Sequence, residues 1–451
     1  MQGLIQHALI VAGVLAATLA VLFVLQQRRS PQSAAAWILF IILVPYLAIP
    51  IFLMLGFRKQ GSRFPAIRFT DVENAVTSGY PIAETFNRLG APAASSRNGF
   101  VLHDTAQSAL LELDAVIVDA RQRLDVLLYV LADDAAGRRF VCQLRDKAHA
   151  GVSVRLVLDR LGTLRRPRRE LAEFVAAGGE LRFFSPFIHP PDSGHMNLRN
   201  HRKLVVADNA TVWAGGRNVA DVYLASSDGR WLDLSFTVTG PVVQSFVDVF
   251  ASDWDASGAA PPVARAGSPA AGRQDAVLQL VPSGPDEPGD VLHNGLVNAI
   301  HGARRRVWIA TPYFVPTETL DQALTIAACR GLDVRLMIPD RSNQWTTDLA
   351  RGAYLRELTR SGCKVFRYPD GMMHAKAGLI DDSAWVGSAN FDVRSMMLNF
   401  ELALFVYDPR TVAAVEAWAS RLAQASVSGL PHARLPRRML EALFRLGTPI
   451  L

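Results

Sequence analysis

One block of this chain is written twice, and it constrains the fold more than any other feature. Residues 200–218 read NHRKLVVADNATVWAGGRN, and residues 373–390 read MHAKAGLIDDSAWVGSAN. His201 aligns with His374, Lys203 with Lys376, Asp208 with Asp381, Gly215 with Gly387 and Asn218 with Asn390. The His-to-Lys, Lys-to-Asp and Gly-to-Asn spacings are equal. The second copy is one residue shorter between its Asp and its Gly, where a turn can absorb the difference. Gly216 stands where the second copy has Ser388. Residues i and i+2 of a strand share one face, so each His and its Lys point the same way.

The repetition extends upstream. Strand candidates at 124–132 and 305–315 are each followed by a helix candidate. A Gly then leads into an alternating strand that ends in Asp, AGVSVRLVLD (150–159) and RGLDVRLMIPD (330–340). Strand–helix–strand order appearing twice is an α/β pattern. Residues 255–275 are rich in Pro, Ala and Gly with no hydrophobic period, and read as a linker. The expected fold is α/β, with homologous α/β/α halves at 61–254 and 276–451 packed pseudo-symmetrically, like faces meeting at a dyad.

Residues 1–60 differ in kind. ALIVAGVLAATLAVLFVL (8–25) and WILFIILVPYLAIPIFLMLGF (37–57) carry no charge. Each is long enough to cross a hydrocarbon core of about 30 Å as a helix. A transmembrane hairpin is expected, with Trp37 near an interface and Pro45 and Pro50 kinking the second helix. No Lys or Arg precedes the first run, and a second span follows at once, so a signal peptide is disfavoured. Arg28 and Arg29 lie in the connecting loop, and Arg58, Lys59, Arg63 and Arg68 follow the second helix. The balance of basic residues favours a cytoplasmic catalytic part. The net charge of +6 suits anionic partners, either acidic lipid or nucleic acid. Cys142, Cys329 and Cys363 are scattered and odd in number, which argues against a disulfide framework.

Two His–Lys pairs across a cleft suggest phosphodiester exchange. A neutral imidazole attacks phosphorus, and a second one moves the proton of the leaving and incoming alcohols. Lys203, Lys376, Asn218, Ser388 and Asn390 would surround the non-bridging oxygens, where negative charge builds. No cofactor or metal is called for. Each His needs an acceptor for its other ring nitrogen. Asp233 in WLDLSFTVTG and Glu401 in LNFELALFVYD, each downstream of a motif at a broadly similar offset, are the candidates. Asp208 and Asp381 belong to the catalytic motif but lie one strand length beyond their Lys. They are expected to be structural, bonding backbone or a nearby basic group.

The block resembles the H-x-K-x4-D-x6-G-[SG]-x-N signature of the phospholipase D superfamily. The likeness narrows further: RRSPQSAAAWILFIILVPYLAIPIFLMLGF, RNHRKLVVADN, GPVVQSFVDVFASDW, TPYFVPTETL and MMHAKAGLIDDSAWVGSANFDVRSMMLNFE look like the bacterial cardiolipin synthases. That resemblance implies two phospholipase D-like halves in the bacterial inner membrane. It implies transfer of a phosphatidyl group between two phosphatidylglycerol molecules through a phosphohistidine, giving cardiolipin and glycerol. Phosphatidylglycerol and other anionic phospholipids are then the partners, and nucleic acid is disfavoured. The CDP-diacylglycerol-dependent synthases carry D-G-x-x-A-R, which this chain lacks. A hydrolase of phospholipase D type, or a nuclease on the same scaffold, is the alternative reading, because water and alcohol meet the same intermediate. Two basic stretches stand outside the motifs. Arg160, Arg165, Arg166, Arg168 and Arg169 form a dense run, read either as a solvated loop or as a lipid-headgroup patch. The tail ARLPRRMLEALFRLGTPIL reads as an amphipathic helix that lies on a membrane or closes the core.

Overall fold

Long apolar runs become helices at the N-terminus, and the β-branched runs of the repeat become strands. A computed structural model describes residues 2–27, 31–56, 64–184, 198–225, 231–258, 275–287 and 289–446. Helix Gln2–Gln26 is long and apolar enough to cross a membrane. The second apolar segment differs from the expected continuous span. It forms Pro31–Leu43, breaks at Val44, and resumes as Pro45–Leu55. Val44 leaves the helical region (φ −139°, ψ 61°) because the ring of Pro45 crowds the preceding residue. Pro50 is taken up inside the third helix. Trp37 is enclosed by the neighbouring helices, its ring 5.1 Å from that of Phe52.

The halves repeat one another strand for strand. From outer edge to dyad the first runs Glu180–Phe184, Ser153–Asp159, Arg123–Leu128, Leu204–Ala207, Thr211–Gly215, Ser235–Thr239 and Ala94–His103. The second runs Lys364–Tyr368, Asp333–Pro339, Arg306–Ala310, Ala377–Ile380, Ser383–Gly387, Glu401–Val406 and Ala276–Ser283, with a short strand Val427–Ser428 added antiparallel at its outer edge. The first three of these seven in each half are parallel and the rest antiparallel. The innermost strands pair antiparallel, Leu278 opposite Ser95, so one continuous sheet crosses the dyad. Strands such as Arg123–Leu128 are buried on both faces, as helix-covered parallel strands must be.

The core does not divide at the dyad. Phe246, Phe250 and Trp254 of helix Val243–Ala256 join Val412, Val415 and Trp418 of helix Pro409–Gln424 in one cluster with strands of both halves. Helix Pro81–Arg88, which precedes the first half's strands, packs on the second half: the Phe86 ring lies 4.5 Å from that of Phe405. Most of the linker, residues 259–274, lies outside the described residues.

Candidate active site

Each histidine is delivered across the dyad by backbone pairing. His201 N donates to Phe400 O at 2.9 Å, and His374 N donates to Leu232 O at 2.6 Å. Phe400 precedes Glu401, and Leu232 precedes Asp233. The same offset thus sets each imidazole against the carboxylate of the opposite half. His201 Nδ1 lies 2.9 Å from Glu401 Oε2, and His374 Nδ1 lies 2.6 Å from Asp233 Oδ2. Both carboxylates are fully buried. A carboxylate only accepts, so each Nδ1 carries the proton and each Nε2 keeps its lone pair. Asp233 and Glu401 are the expected partners, but neither serves the histidine of its own motif.

The motif glycines make this geometry possible. A Cβ on Gly215 would lie 2.6 Å from Leu234 O, and one on Gly387 would lie 2.2 Å from Leu402 O. These contacts bring each motif strand against the strand that carries the next carboxylate. At the following position the halves diverge. A Cβ on Gly216 would lie 2.3 Å from Asp233 Oδ1. In the second half Ser388 Oγ donates to Glu401 Oε2 at 2.5 Å and accepts from Leu402 N at 2.9 Å. Ser388, expected among the phosphate contacts, here touches the carboxylate that holds His201.

Lys203 and Lys376 are buried beside their histidines. Lys203 Nζ donates to His201 O at 2.7 Å and stands 5.2 Å from the centre of the Tyr129 ring. Lys376 Nζ likewise donates to His374 O, and it lies 2.7 Å from His374 Nδ1 and 3.1 Å from Nε2. Asn218 Oδ1 accepts from Val130 N at 3.2 Å. Asn390 is buried, and its Oδ1 has no hydrogen-bond partner among the described residues.

Asp208 and Asp381 sit at the other end of the motif strands, in the hairpin turns, with φ of 53° and 49°. The Asp208 carboxylate accepts from the backbone N–H groups of Arg121, Gln122 and Arg123, each at 2.7 Å. Asp381 accepts from those of Arg304, Arg305 and Arg306 at 2.8, 2.9 and 3.1 Å. Each closes its turn onto the start of the neighbouring strand. The missing residue of the second copy falls here: Ala207 pairs with Thr211, but Ile380 pairs with Ser383. Pairing beyond the turn is unaffected.

Burial sets the charge state. It lowers the His201 pKa to about 4, against the pull of Glu401 and with the help of Lys203. It lowers that of His374 to about 3, assisted by Lys376 and opposed by Asp233. Burial also brings Lys376 down to about 8 against Asp233 and Glu401, and takes Lys203 well below the usual lysine value. For the carboxylates burial pushes upward, but it is outweighed. Lys376 and His374 hold Asp233 low, and His201 and Lys203 hold Glu401 low. The resting site therefore presents two neutral imidazoles at pH 7.

Several contributors were not singled out by the motif. Tyr129 stacks edge-on against His201 at 4.7 Å, and Tyr223 and Trp231 lie 5.3 and 5.1 Å from His374. In TPYFVP the two aromatics separate: the Tyr313 ring lies 6.3 Å from that of His374, while Phe314 is buried in the core. Arg202 alternates away from His201 and Lys203 onto the other face. It is fully buried, with Nη1 2.9 Å from Asp253 Oδ1 and 2.7 Å from Asp286 Oδ2. That ion cluster joins the motif strand to both halves. Alternation within N-H-R-K was the available signal. Of the Arg-rich run, Arg160 and Arg166 pack over the Phe183 ring at 5.1 and 4.7 Å, and Arg169 pairs with Glu173 at 3.0 Å.

Comparison with known proteins gives the same outline. A family described as "Cardiolipin synthase, PLD-like domain" matches residues 113–254 and 296–423, and one described as "Phospholipase_D-nuclease N-terminal" matches 15–56. Cardiolipin synthase A of Pseudomonas aeruginosa is 33% identical, with 100% of this chain and 96% of that protein covered. Cardiolipin synthase A of Pseudomonas fluorescens is 34% identical over 90% and 88%. The cardiolipin synthase of Listeria monocytogenes is 29% identical over the full length of both. Among solved structures, phosphatidylserine synthase of Haemophilus influenzae shares the fold. Its TM-score is 0.63 at 16% identity, covering 82% of this chain and all of that one.

Proposed function

Because this chain belongs to the cardiolipin synthases of the phospholipase D superfamily, we propose that it joins two phosphatidylglycerol molecules into cardiolipin and releases glycerol. The observation that carries the reading is the pair of imidazoles, each held at Nδ1 by the opposite half's carboxylate, with a lysine beside each. Such a site suits a two-step exchange at one phosphorus.

His201 Nε2 attacks the phosphorus of the donor. The P–O bond to the glycerol headgroup breaks, and His374 gives its Nε2 proton to that oxygen. A diester anion entering between Lys203 and Lys376 raises the depressed pKa of His374, so the proton is acquired with substrate. His374, now neutral, takes the proton of the acceptor's hydroxyl. That oxygen attacks phosphorus, and the bond to His201 breaks. The lysines and Asn218 and Asn390 stabilise charge on the non-bridging oxygens. Glu401 and Asp233 hold the imidazoles in register, Ser388 steadies Glu401, and Asp208 and Asp381 fix the turns.

We read residues 1–60 as the anchor, 61–254 and 276–451 as the two halves, and 255–275 as their link. The anchor sits in the bacterial inner membrane, and the basic residues around its second apolar segment favour a cytoplasmic catalytic part. There a diacyl substrate reaches the site without passing through water.

Rapid acid-free quenching with phosphatidylglycerol labelled at phosphorus tests the intermediate. Label should appear on His201, persist in His374→Ala with a good leaving group, and vanish in His201→Ala. Label on His374 in His201→Ala would reverse the two roles.

A further inference from the structure

The second half encloses a cavity of about 340 Å³ away from the two histidines, between helices Trp345–Arg360 and Leu435–Leu446. Five guanidiniums line it, those of Arg341, Arg351, Arg356, Arg367 and Arg437, against three carboxylates. Each carboxylate is ion-paired, although Asp348 Oδ1 and Glu441 Oε2 are buried without a hydrogen-bond partner among the described residues. Glu441, 2% exposed, is held by Arg437 Nε at 3.0 Å and by Arg356. Asp340 pairs with Arg367, and Asp348 lies 3.0 Å from Arg351 Nη2.

Arg351 is left incomplete. Its side chain is 5% exposed, and Nη2 donates to Asp340 O at 2.9 Å. Nη1 is buried with no hydrogen-bond partner among the described residues. A charged donor without an acceptor is costly in a protein interior and calls for a ligand or water. Burial lowers the pKa of Arg351; Asp348 and Asp340 oppose that shift, and the like charges of Arg367 and Arg437 add to it. An anion in the cavity would accept from Nη1. Arg341 stands exposed at the rim.

The surface of the same two helices, outside the cavity lining, indicates which anion. Leu435, Met439 and Leu443 are exposed on the C-terminal helix, and Trp345 is exposed on the other, its ring 5.6 Å from Phe444. Arg434 and Arg438 accompany them. Apolar side chains beside arginines on an amphipathic helix are the make-up of an interfacial element. The chain also carries a helix able to cross a bilayer. We propose that this cavity is a second lipid site. It takes the phosphate of an anionic phospholipid on Arg351 and Arg341, with the acyl chains along Trp345, Leu435 and Met439.

Native mass spectrometry of the full-length protein in detergent reads this directly. A His201→Ala background stops turnover, and dioleoylphosphatidylglycerol is the probe. One lipid beyond the donor and acceptor at the histidines should be retained. Its affinity should fall about tenfold or more in Arg341→Ser and in Arg351→Gln, as loss of a charge-assisted bond implies. Should Arg351→Gln unfold, the exposed Arg341→Ser decides alone. Unchanged retention in Arg341→Ser overturns the site. Displacement by an equal concentration of inorganic phosphate overturns the lipid assignment in favour of free phosphate. Cardiolipin formation by Arg341→Ser with His201 intact is a separate readout, so failure of the catalytic reading would leave the retention count interpretable.

Discussion

At the scale of single residues, the crossed histidine–carboxylate pairs make the sharpest demands. Glu401→Gln should lower kcat on the order of 10³-fold with little change in KM, since the amide no longer fixes the imidazole tautomer. Asp233→Asn should do the same through His374. Steady-state assays of double variants give the connectivity: Glu401→Gln adds little to His201→Ala, and Asp233→Asn adds little to His374→Ala. Pairing within each half would show the opposite pattern. The pH profile follows from the same contacts. Imidazoles with pKa values of about 4 and 3 stay neutral down to mildly acid pH, and Lys376 loses its charge through about 8. Because His374 takes up its proton with substrate, the kcat/KM profile, which reports the free enzyme, should fall as pH rises from roughly 5 to 7 and fall more steeply above about 8. A rise across pH 6–7, as an ordinary histidine would give, contradicts this assignment. His201, His374 and their lysines were legible from spacing alone. The crossing was not, because chain offset pairs each carboxylate with the nearer histidine, while the dyad is set by strand pairing distant in sequence.

At the scale of elements, the hairpin of each motif is braced at both ends. Gly387→Ala drives a Cβ into Leu402 O and should cost both folding yield and activity. Gly216→Ser, the residue of the second copy, would push on Asp233 and should lower kcat at the His374 step; the reverse change, Ser388→Gly, removes the hydrogen bond to Glu401 and the one from Leu402 N but forces no atom aside. Asp208→Ala leaves three backbone N–H groups unmatched and should cost about 2 kcal/mol, read as a lower Tm. The Asp208 pKa is lowered in the folded chain by those N–H groups, despite burial. Its stabilisation is therefore complete above the unfolded carboxylate value and lost as pH falls through the folded one. That both halves would carry the same strand and helix units could be anticipated from the repeat; their order in the sheet, with the motif hairpin inserted antiparallel beside the parallel strands, could not. The break at Val44 was foreseen only as a kink at Pro45, and the enclosure of Trp37 depends on a third helix that hydropathy did not resolve.

At the scale of the molecule, neither half holds a complete site. The sheet is continuous through Leu278 and Ser95, the central core draws on helices of both halves, and each histidine borrows its carboxylate from the other side. Residues 61–254 and 276–451 expressed separately should each be inactive, and only their reassembled complex should turn over. The motif shows two half-sites, but not that the helix at Pro81–Arg88 packs across the dyad, since its apolar residues name no partner. The central claim is that one joint site transfers a phosphatidyl group to alcohol. The most direct measurement takes purified full-length protein in phosphatidylglycerol vesicles, without CDP-diacylglycerol, and follows lipids and free glycerol by mass spectrometry. Cardiolipin and glycerol appearing one to one, and absent in His201→Ala, is the predicted result. Phosphatidic acid without cardiolipin would contradict it.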